Sequence, residues 1–189
     1  MDLTKAELRK SQVDIRKRAF EHCVDAPFEA IARFPEPLWP GQAQIVAGYF
    51  PIGTELDPRP LMTEFQARGS RLCLPVMSGP EDALNFHQWK MGESLIQGSF
   101  GVHEPDPTQN LLTPNLILVP LLAADKQGGR LGYGKGYYDR TISRLRAEGA
   151  VICVGLAFEE QIVDQVPVDP HDQALDWVVT EKSAYKIGA

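Results

Sequence analysis

The chain has 189 residues, of which 43% are hydrophobic and 23% are charged, and its formal net charge is −6. The length is typical of one domain, and the composition excludes a disordered or fibrous protein. The acidic balance argues against a general nucleic-acid-binding surface, so a bound anion would need a local cluster of positive charge.

The first residues, MDLTKAELRK, are charged, and no apolar segment follows them, which predicts neither a signal peptide nor a transit peptide. The longest apolar run, residues 116–125, is far too short to span a bilayer. The cysteines Cys23, Cys73 and Cys153 form no CxxC pair, which favours reduced thiols over a disulfide framework or a zinc site. We therefore expect a cytoplasmic monomer that binds neither membranes nor nucleic acid.

The first predicted element is a helix from about residue 5 to residue 23. Thr4 and Glu7 fit a capping box, in which each side chain satisfies a free amide at the helix start. Apolar residues share one face of this helix at helical spacing: Leu8, Ile15 and Ala19. Basic residues share another face: Lys5, Arg9 and Arg16. A solvated face is the simpler interpretation of this basic row.

Short β-rich runs then alternate with helical segments. The predicted strands cover residues 44–50, 71–75, 85–89, 115–120, 151–157 and 177–180, and the predicted helices between them cover residues 60–68 and 137–148. Several of the strands are nearly continuous in apolar character, as expected of strands buried on both faces. The alternation predicts a single α/β domain over residues 1–189, with three α/β/α layers and a mainly parallel sheet. Ligands of such sheets bind at the carboxyl ends of the strands.

The densest local signal is the stretch GGRLGYGKGYYDR, residues 128–140, which we call the glycine loop. It matches the Walker pattern GxxxxGK[ST] through Lys135, but Gly136 replaces the hydroxyl residue that would bind magnesium. The spacing of Gly132, Gly134 and Gly136 is one residue short of the dinucleotide pattern GxGxxG. The loop is therefore neither of these two phosphate-binding types.

The residue types of the glycine loop still favour anion binding. Alternating glycines allow positive φ and close approach of backbone amides to an anion, and the dipole of the following helix adds to the attraction. Arg130 and Lys135 supply charge, and Asp139 is placed to hold Mg²⁺ near a bound phosphate. The alternative is a glycine-rich surface turn in which Asp139 is only a helix-start carboxylate.

The stretch LILVPLLAADKQGGRLGYGKGYYDR resembles the 5-formyltetrahydrofolate cyclo-ligases, also called methenyltetrahydrofolate synthetases. The resemblance continues through KAELR, YFPIGTELD, LCLPV and VPVDPHDQALDWVVTE, in the same order along the chain. It implies a three-layer α/β/α fold and an enzyme that couples ATP hydrolysis to closure of 5-formyltetrahydrofolate into 5,10-methenyltetrahydrofolate, with release of ADP and phosphate. In the mechanism so implied, the γ-phosphate moves to the formyl oxygen, and the neighbouring folate nitrogen attacks the resulting imidate phosphate.

The resemblance also implies roles for individual residues. The implied ATP contacts are Lys5, Arg9, Arg130, Leu131, Gly132, Tyr133, Gly134, Lys135, Gly136, Tyr137 and Tyr138. The implied folate contacts are Phe50, Glu55, Phe100, Tyr133, Gly134, Lys135, Gly136 and Tyr137. The implied catalytic residues are Arg130, Lys135 and Tyr137, and the implied Mg²⁺ ligands are Asp139 and Asp172.

Simpler interpretations stand beside several of these roles. Glu55 is equally explained as a solvent-exposed loop carboxylate, Phe100 as a core residue, and the pair His171-Asp172 as a solvated loop. The chain also departs from the family pattern: PLLAAD, residues 120–125, stands where PGLAFD is usual, and Tyr133 stands where arginine is frequent. The second departure predicts one positive charge fewer at the phosphate site.

Two other functions compete with the enzyme. One is a non-catalytic module that binds a nucleotide or folate, although two retained carboxylates, Asp139 and Asp172, are more than a binder needs. The other is a different ligase or a sugar-phosphate enzyme on a related scaffold, because fold alone does not determine function. Glu55 and the complete GYYD ending argue against this last alternative.

Overall fold

The computed structural model describes residues 4–39, 44–98 and 101–188 of the chain. Its helices are α1 (Lys5–His22), α2 (Ala26–Arg33), α3 (Arg59–Ala67) and α4 (Tyr137–Glu148). Short 3₁₀ helices cover Glu36–Leu38 and Glu159–Gln161. The strands are β1 (Ile45–Ala47), β2 (Arg71–Val76), β3 (Asn85–Gln88), β4 (Ile96–Gln97), β5 (His103–Glu104), β6 (Leu116–Pro120), β7 (Ala123–Ala124), β8 (Arg130–Leu131), β9 (Ile152–Leu156), β10 (Trp177–Val179) and β11 (Ala184–Lys186).

The central sheet has the strand order β11-β10-β9-β6-β1-β2-β3. The five strands from β10 to β2 are parallel to their neighbours, and the edge strands β3 and β11 pair antiparallel. The predicted mainly parallel sheet is thus confirmed. Outside this sheet, β4 pairs with β5 and β7 pairs with β8, each as a short antiparallel ladder.

Alternate residues of the parallel strands contribute to two cores, one on each face of the sheet. On one face, Val46 and Leu116 pack in a cluster that includes residues of α1, α2 and α3. On the other face, Ala47 and Ile117 pack in a cluster that includes Ile142 of α4. Because successive side chains of a strand point to opposite faces, an apolar run buries both faces and requires a helical layer on each. The predicted three-layer arrangement is confirmed.

The sequence predicts the main elements to within a few residues. The first helix, the helix over residues 137–148 and all six predicted strands are present, although β1 covers only three of the seven residues predicted for it. The short helix α2 and the ladders β4–β5 and β7–β8 were not predicted. Within the described ranges, every helix is too short or too polar to cross a membrane.

The sheet changes its winding direction between β1 and β6. The connection from β1 to β2 passes through α3 on one face, whereas the connection from β6 to β9 passes through α4 on the other face. Since β1 and β6 are adjacent, the chain segments that leave their carboxyl ends diverge and open a crevice between them. This crevice is the place where the fold itself favours a ligand site.

Candidate functional site

The segments that leave β1 and β6 border the crevice. Residues 48–58 follow β1 and form what we call the β1 lip, and residues 130–139 form the β6 lip. Nearly all of the implied site residues lie on these two lips. The others are Lys5, Arg9, Phe100 and Asp172, of which Phe100 lies outside the described residues.

Helix α1 lies against the β6 lip with its basic row. Arg9 Nε donates a hydrogen bond to the carbonyl of Gly132 at 2.9 Å. Arg16 is only 3% exposed, and its guanidinium donates to the hydroxyl of Tyr133. The interpretation of this row as a solvated face is therefore wrong, because two of its three members contact the glycine loop.

The hairpin β7–β8 carries the chain from the end of β6 to the glycine loop. Asp125 fixes its turn: one carboxylate oxygen accepts from the amides of Gln127 and Gly129 at 2.9 and 2.8 Å, and the other accepts from the amide of Val166 at 2.8 Å. Asp125 is 3% exposed, so its carboxylate has little access to water and depends on these amides for its hydrogen bonds. This carboxylate orders the approach to the β6 lip and is distinct from the implied metal ligands.

Replacing Asp125 with alanine is expected to lower the free energy of unfolding by about 3 kcal/mol, because three hydrogen bonds to a buried carboxylate are lost. Urea unfolding measures the change. Asp106→Ala is the matched control, since the Asp106 carboxylate also accepts from a nearby amide, that of Thr108, but lies in an exposed turn, and little change is expected. Equal stability of the two variants would contradict this role of Asp125.

The departures from the family pattern in residues 120–125 are packing residues. Leu121 and Ala124 are buried in the core cluster on the α4 side of the sheet. A Cβ added to Gly155 of β9 would lie 2.8 Å from Leu121 Cδ2, so the larger side chain at position 121 packs against a glycine. The hairpin approach to the loop is thus built on a filled core.

The glycine loop ends at the start of α4. Gly134 and Gly136 have φ of 85° and 69°, a region that favours glycine, and Gly136 is the N-cap of α4. A Cβ at Gly134 would lie 3.2 Å from Arg9 Cζ, so glycine also permits the close approach of that guanidinium. The first amides of α4 have no partner inside the helix and present an anion-binding end next to the loop.

Lys135 projects from the loop as an exposed side chain, and within the described residues it forms no ion pair. Its carbonyl accepts a hydrogen bond from Arg140 Nη2 at 3.0 Å. The same guanidinium donates to the carbonyl of Pro80 at 3.2 Å, and its Cζ lies 5.2 Å from the centroid of the Tyr137 ring. The backbone of the loop is held while its lysine head group is left accessible.

The two implied metal ligands lie close together through Gln173. Asp139 Oδ1 accepts a hydrogen bond from the amide of Gln173 at 2.9 Å. Gln173 is the residue that follows Asp172 in the chain. Arg130 joins them: its Nη2 donates to Asp139 Oδ1 at 2.5 Å and its Nη1 donates to the carbonyl of Gln173. Asp172 Oδ2 accepts from Lys5 Nζ at 2.5 Å. The structure therefore brings together Lys5, Arg130, Asp139 and Asp172, which the sequence places far apart.

Charge pairing controls the ionisation of Asp172. Burial acts to raise the pKa of Asp172, but hydrogen bonds from Lys5 and from the Asp169 amide outweigh it, so the pKa lies below its ordinary value. For Lys5, burial acts to lower the pKa, but hydrogen bonds to Asp169 and Asp172 raise it overall. Both groups are charged at neutral pH, as a site for a cation and a phosphate requires.

The carboxylates fit a magnesium ion that is shared with a phosphate. Among the described residues, Asp139 Oδ2 and Asp172 Oδ1 accept no hydrogen bond, which leaves one oxygen of each free as a ligand. Within the same residues, no group of three or more acidic, histidine or cysteine side chains is placed to hold a metal ion. Mg²⁺ is usually bound by one or two carboxylates together with substrate phosphates and water, and this donor set suits that mode. A pocket of about 540 Å³ adjoins Asp172 and Arg130.

The β1 lip carries the implied folate contacts. Glu55 is 5% exposed, and its Oε2 accepts from the amide of Ile52 at 2.8 Å, so the interpretation as a solvent-exposed carboxylate is wrong. Burial raises the pKa of Glu55, although the Ile52 amide and Arg16 act to lower it. Phe50 is half-buried, with its ring centroid 4.9 Å from that of His103.

Arg16 is the functional candidate that the sequence interpretation missed. Its Nε donates to Thr54 Oγ1 of the β1 lip at 3.2 Å, and its Cζ lies 5.4 Å from the ring centroid of Tyr133 on the β6 lip. The guanidinium of Arg16 thus lies next to Tyr133, the position at which the family frequently has an arginine and this chain was expected to lack a positive charge. The helical spacing of Arg16 indicates burial, because Arg16 is eight residues after Leu8 and three before Ala19 and so lies on the same face of α1 as these buried residues.

Comparison with known proteins gives consistent relatives. The model of the 5-formyltetrahydrofolate cyclo-ligase family matches residues 3–181. The chain is 31% identical to the 5-formyltetrahydrofolate cyclo-ligase of Mycolicibacterium smegmatis, over 95% of this chain and 94% of that protein. It is 32% identical to the Escherichia coli protein of the same name, over 76% and 81% of the two chains. The NMR structure of Aquifex aeolicus 5,10-methenyltetrahydrofolate synthetase is similar, with a TM-score of 0.79 and 29% identity, covering 99% of this chain and 94% of that one.

Proposed function

The chain belongs to the 5-formyltetrahydrofolate cyclo-ligase family, and we propose that it is an enzyme that uses ATP and Mg²⁺ to convert 5-formyltetrahydrofolate into 5,10-methenyltetrahydrofolate, ADP and phosphate. The observation that carries this proposal is the meeting of the two lips at the switch point of the sheet. The β6 lip carries implied contacts to both the nucleotide and the folate, and the β1 lip carries two further implied folate contacts, Phe50 and Glu55. A phosphoryl transfer between two bound substrates requires this proximity.

The chemical step needs a better leaving group on the formyl carbon. In the proposed reaction the formyl oxygen forms a bond to the γ-phosphorus of ATP, the bond from that phosphorus to the β-phosphate bridging oxygen breaks, and ADP leaves. The neighbouring folate nitrogen then attacks the formyl carbon and gives up its proton, the C–O bond breaks, and the phosphate that is released takes up the proton. The protein mainly has to position the reactants and neutralise charge, as in other phosphoryl transfers.

The chain's own groups fit those tasks. In this proposal Lys135, Arg9 and the first amides of α4 bind phosphate oxygens, which carry the negative charge of the reaction; the contact of Arg9 with Gly132 and the start of α4 at Gly136 support these roles. Glu55 accepts hydrogen bonds from the pterin ring, and Phe50 packs against it. Mg²⁺, held by Asp139 and Asp172, would neutralise charge on the transferring phosphate.

The direct test mixes purified protein with Mg²⁺, ATP and 5-formyltetrahydrofolate and follows the ultraviolet absorbance of the methenyl product. A rise in absorbance that depends on all three additions, with one ADP formed per product, supports the proposal. Unchanged absorbance with intact ATP would overturn it. Binding of both ligands without turnover would instead support the non-catalytic module.

Replacing Lys135 with alanine is expected to raise the KM for ATP about tenfold, because one charge-assisted hydrogen bond to phosphate is lost. The KM for 5-formyltetrahydrofolate should change much less. Steady-state kinetics with each substrate varied in turn measures both values. The exposed Lys126 provides the control variant Lys126→Ala, for which both KM values should stay near wild type. An effect confined to the folate KM would contradict the assignment of Lys135 to the nucleotide.

A further inference from the structure

Arg16 occupies an unusual position for an arginine. It is 3% exposed in the middle of α1, where burial of a guanidinium is unfavourable unless all of its donors are satisfied. Its Nε and Nη2 donate to Thr54 and Tyr133, but among the described residues Nη1 is buried without a hydrogen-bond partner. One turn earlier on the same face, Gln12 also has a buried oxygen without a partner among those residues. Such a face is poorly explained by packing alone.

The unpartnered nitrogen faces the carboxylate of the β1 lip. Arg16 Nη1 lies 3.8 Å from Glu55 Oε1, which is an ion pair but too long for a hydrogen bond. A movement of about 1 Å would convert this contact into a charge-assisted hydrogen bond. The same guanidinium already holds Tyr133 on the β6 lip, so one side chain contacts both sides of the cleft.

We propose that Arg16 is a positioning residue that sets Glu55 and Tyr133 for the two substrates from a single buried guanidinium. This inference rests on the proposed function of the crevice between the two lips. Arg16 holds the Glu55 carboxylate in its position on the β1 lip through their ion pair. It also fixes the side chain of Tyr133 over the cleft, so that the glycine loop and the β1 lip keep a constant separation.

The ionisation of Glu55 is the property that a purely structural arginine would not control. Three titratable groups interact electrostatically with Glu55. They are Arg16 on α1, Tyr49 in the chain after β1, and Tyr138 on α4. Burial raises the pKa of both tyrosines, so they stay neutral over the range in which Glu55 titrates. Burial raises the pKa of Glu55, the hydrogen bond from the Ile52 amide acts to lower it, and Arg16 adds a positive charge that acts in the same direction as that hydrogen bond.

The test compares Arg16→Met and Arg16→Lys with the wild type and with Arg18→Met, a control on the exposed face of the same helix. In Arg16→Met we expect the KM for 5-formyltetrahydrofolate to rise about tenfold or more. The acid limb of the kcat/KM profile should move to higher pH, because an uncompensated buried carboxyl binds its proton more tightly. Arg16→Lys should keep the acid limb near its wild-type position but lower kcat, since one ammonium group cannot hold Thr54 and Tyr133 together. Arg18→Met should behave as wild type.

A second measurement does not depend on turnover. The carboxyl carbon of Glu55 is followed by NMR during a pH titration of ligand-free protein, with Glu55→Gln used to assign its signal. A titration midpoint that rises in Arg16→Met, but not in Arg18→Met, supports the proposal even if the wild type lacks the proposed activity. An unchanged midpoint, folate KM and acid limb in a folded Arg16→Met would overturn it. If Arg16→Met does not fold, an unchanged kcat in Arg16→Lys would overturn it equally.

Discussion

Replacing Asp139 with asparagine is expected to lower kcat about a thousandfold or more while the protein stays folded. In the wild type, Asp139 accepts a hydrogen bond from the Gln173 amide at 2.9 Å. An asparagine side chain keeps an oxygen that can accept the same hydrogen bond. The substitution removes the negative charge that pairs with Arg130 and would bind Mg²⁺. A change of this size corresponds to about 4 kcal/mol in the activation free energy, within the several kcal/mol that a metal ion contributes to charge stabilisation.

Asp169→Asn is the matched control for Asp139→Asn. The Asp169 carboxylate also belongs to this region and pairs with Lys5 at 2.6 Å, but it is 68% exposed and is not among the implied metal ligands. We expect kcat within about twofold of wild type, because an exposed ion pair contributes little. Titration of ADP in the presence and absence of Mg²⁺ provides a second readout: the gain in affinity from Mg²⁺ should persist in Asp169→Asn and disappear in Asp139→Asn. Near-normal turnover of Asp139→Asn would remove Asp139 from the metal site.

The parallel sheet could be predicted because its strands bury both faces and therefore form nearly continuous apolar runs. Residues 116–120 and 152–156 are such runs, and each lies within one residue of its predicted start. The helix α2 was missed because it has only eight residues, with a proline at its second position, and a segment so short depends on packing of Ala26 and Ala30 against α3 and the sheet. The ladder β7–β8 has two residues in each strand and is held by Asp125, a contact that local propensity does not reveal.

The sequence predicts which residues belong to the candidate site, but it does not predict how they are arranged. The glycine loop and the acidic residues were identified from motifs, and β1 and β6 place them around one crevice. The pairing of Lys5 with Asp172 depends on long-range packing, since the two residues are separated by 167 positions in the chain. Arg16 was assigned to solvent because charged residues seldom occupy a buried stripe, and a functional site is where that rule fails.

Replacing Arg130 with lysine is expected to lower kcat about a hundredfold and the free energy of unfolding by about 2 kcal/mol. The guanidinium of Arg130 is 6% exposed and uses its two terminal nitrogens on different partners, the carboxylate of Asp139 and the carbonyl of Gln173. A lysine keeps the charge, but its single ammonium group cannot make both contacts in this fork geometry. Loss of one hydrogen bond to a charged group accounts for the change in stability. The larger effect on kcat is expected because Arg130 orients one implied metal ligand, Asp139, and the residue next to the other.

Arg146→Lys separates these two effects. Arg146 contacts the same segment, where its Nη2 donates to the carbonyl of Ala174 at 2.9 Å and to Asp176 at 3.1 Å, but it reaches neither implied metal ligand. Its substitution should lower stability slightly and leave kcat near wild type. Urea unfolding and steady-state kinetics on both variants measure the two quantities in parallel. If Arg130→Lys loses stability but keeps kcat, Arg130 only ties β8 to the segment around Gln173. If kcat falls far more in Arg130→Lys than in Arg146→Lys, Arg130 sets the geometry of the two carboxylates.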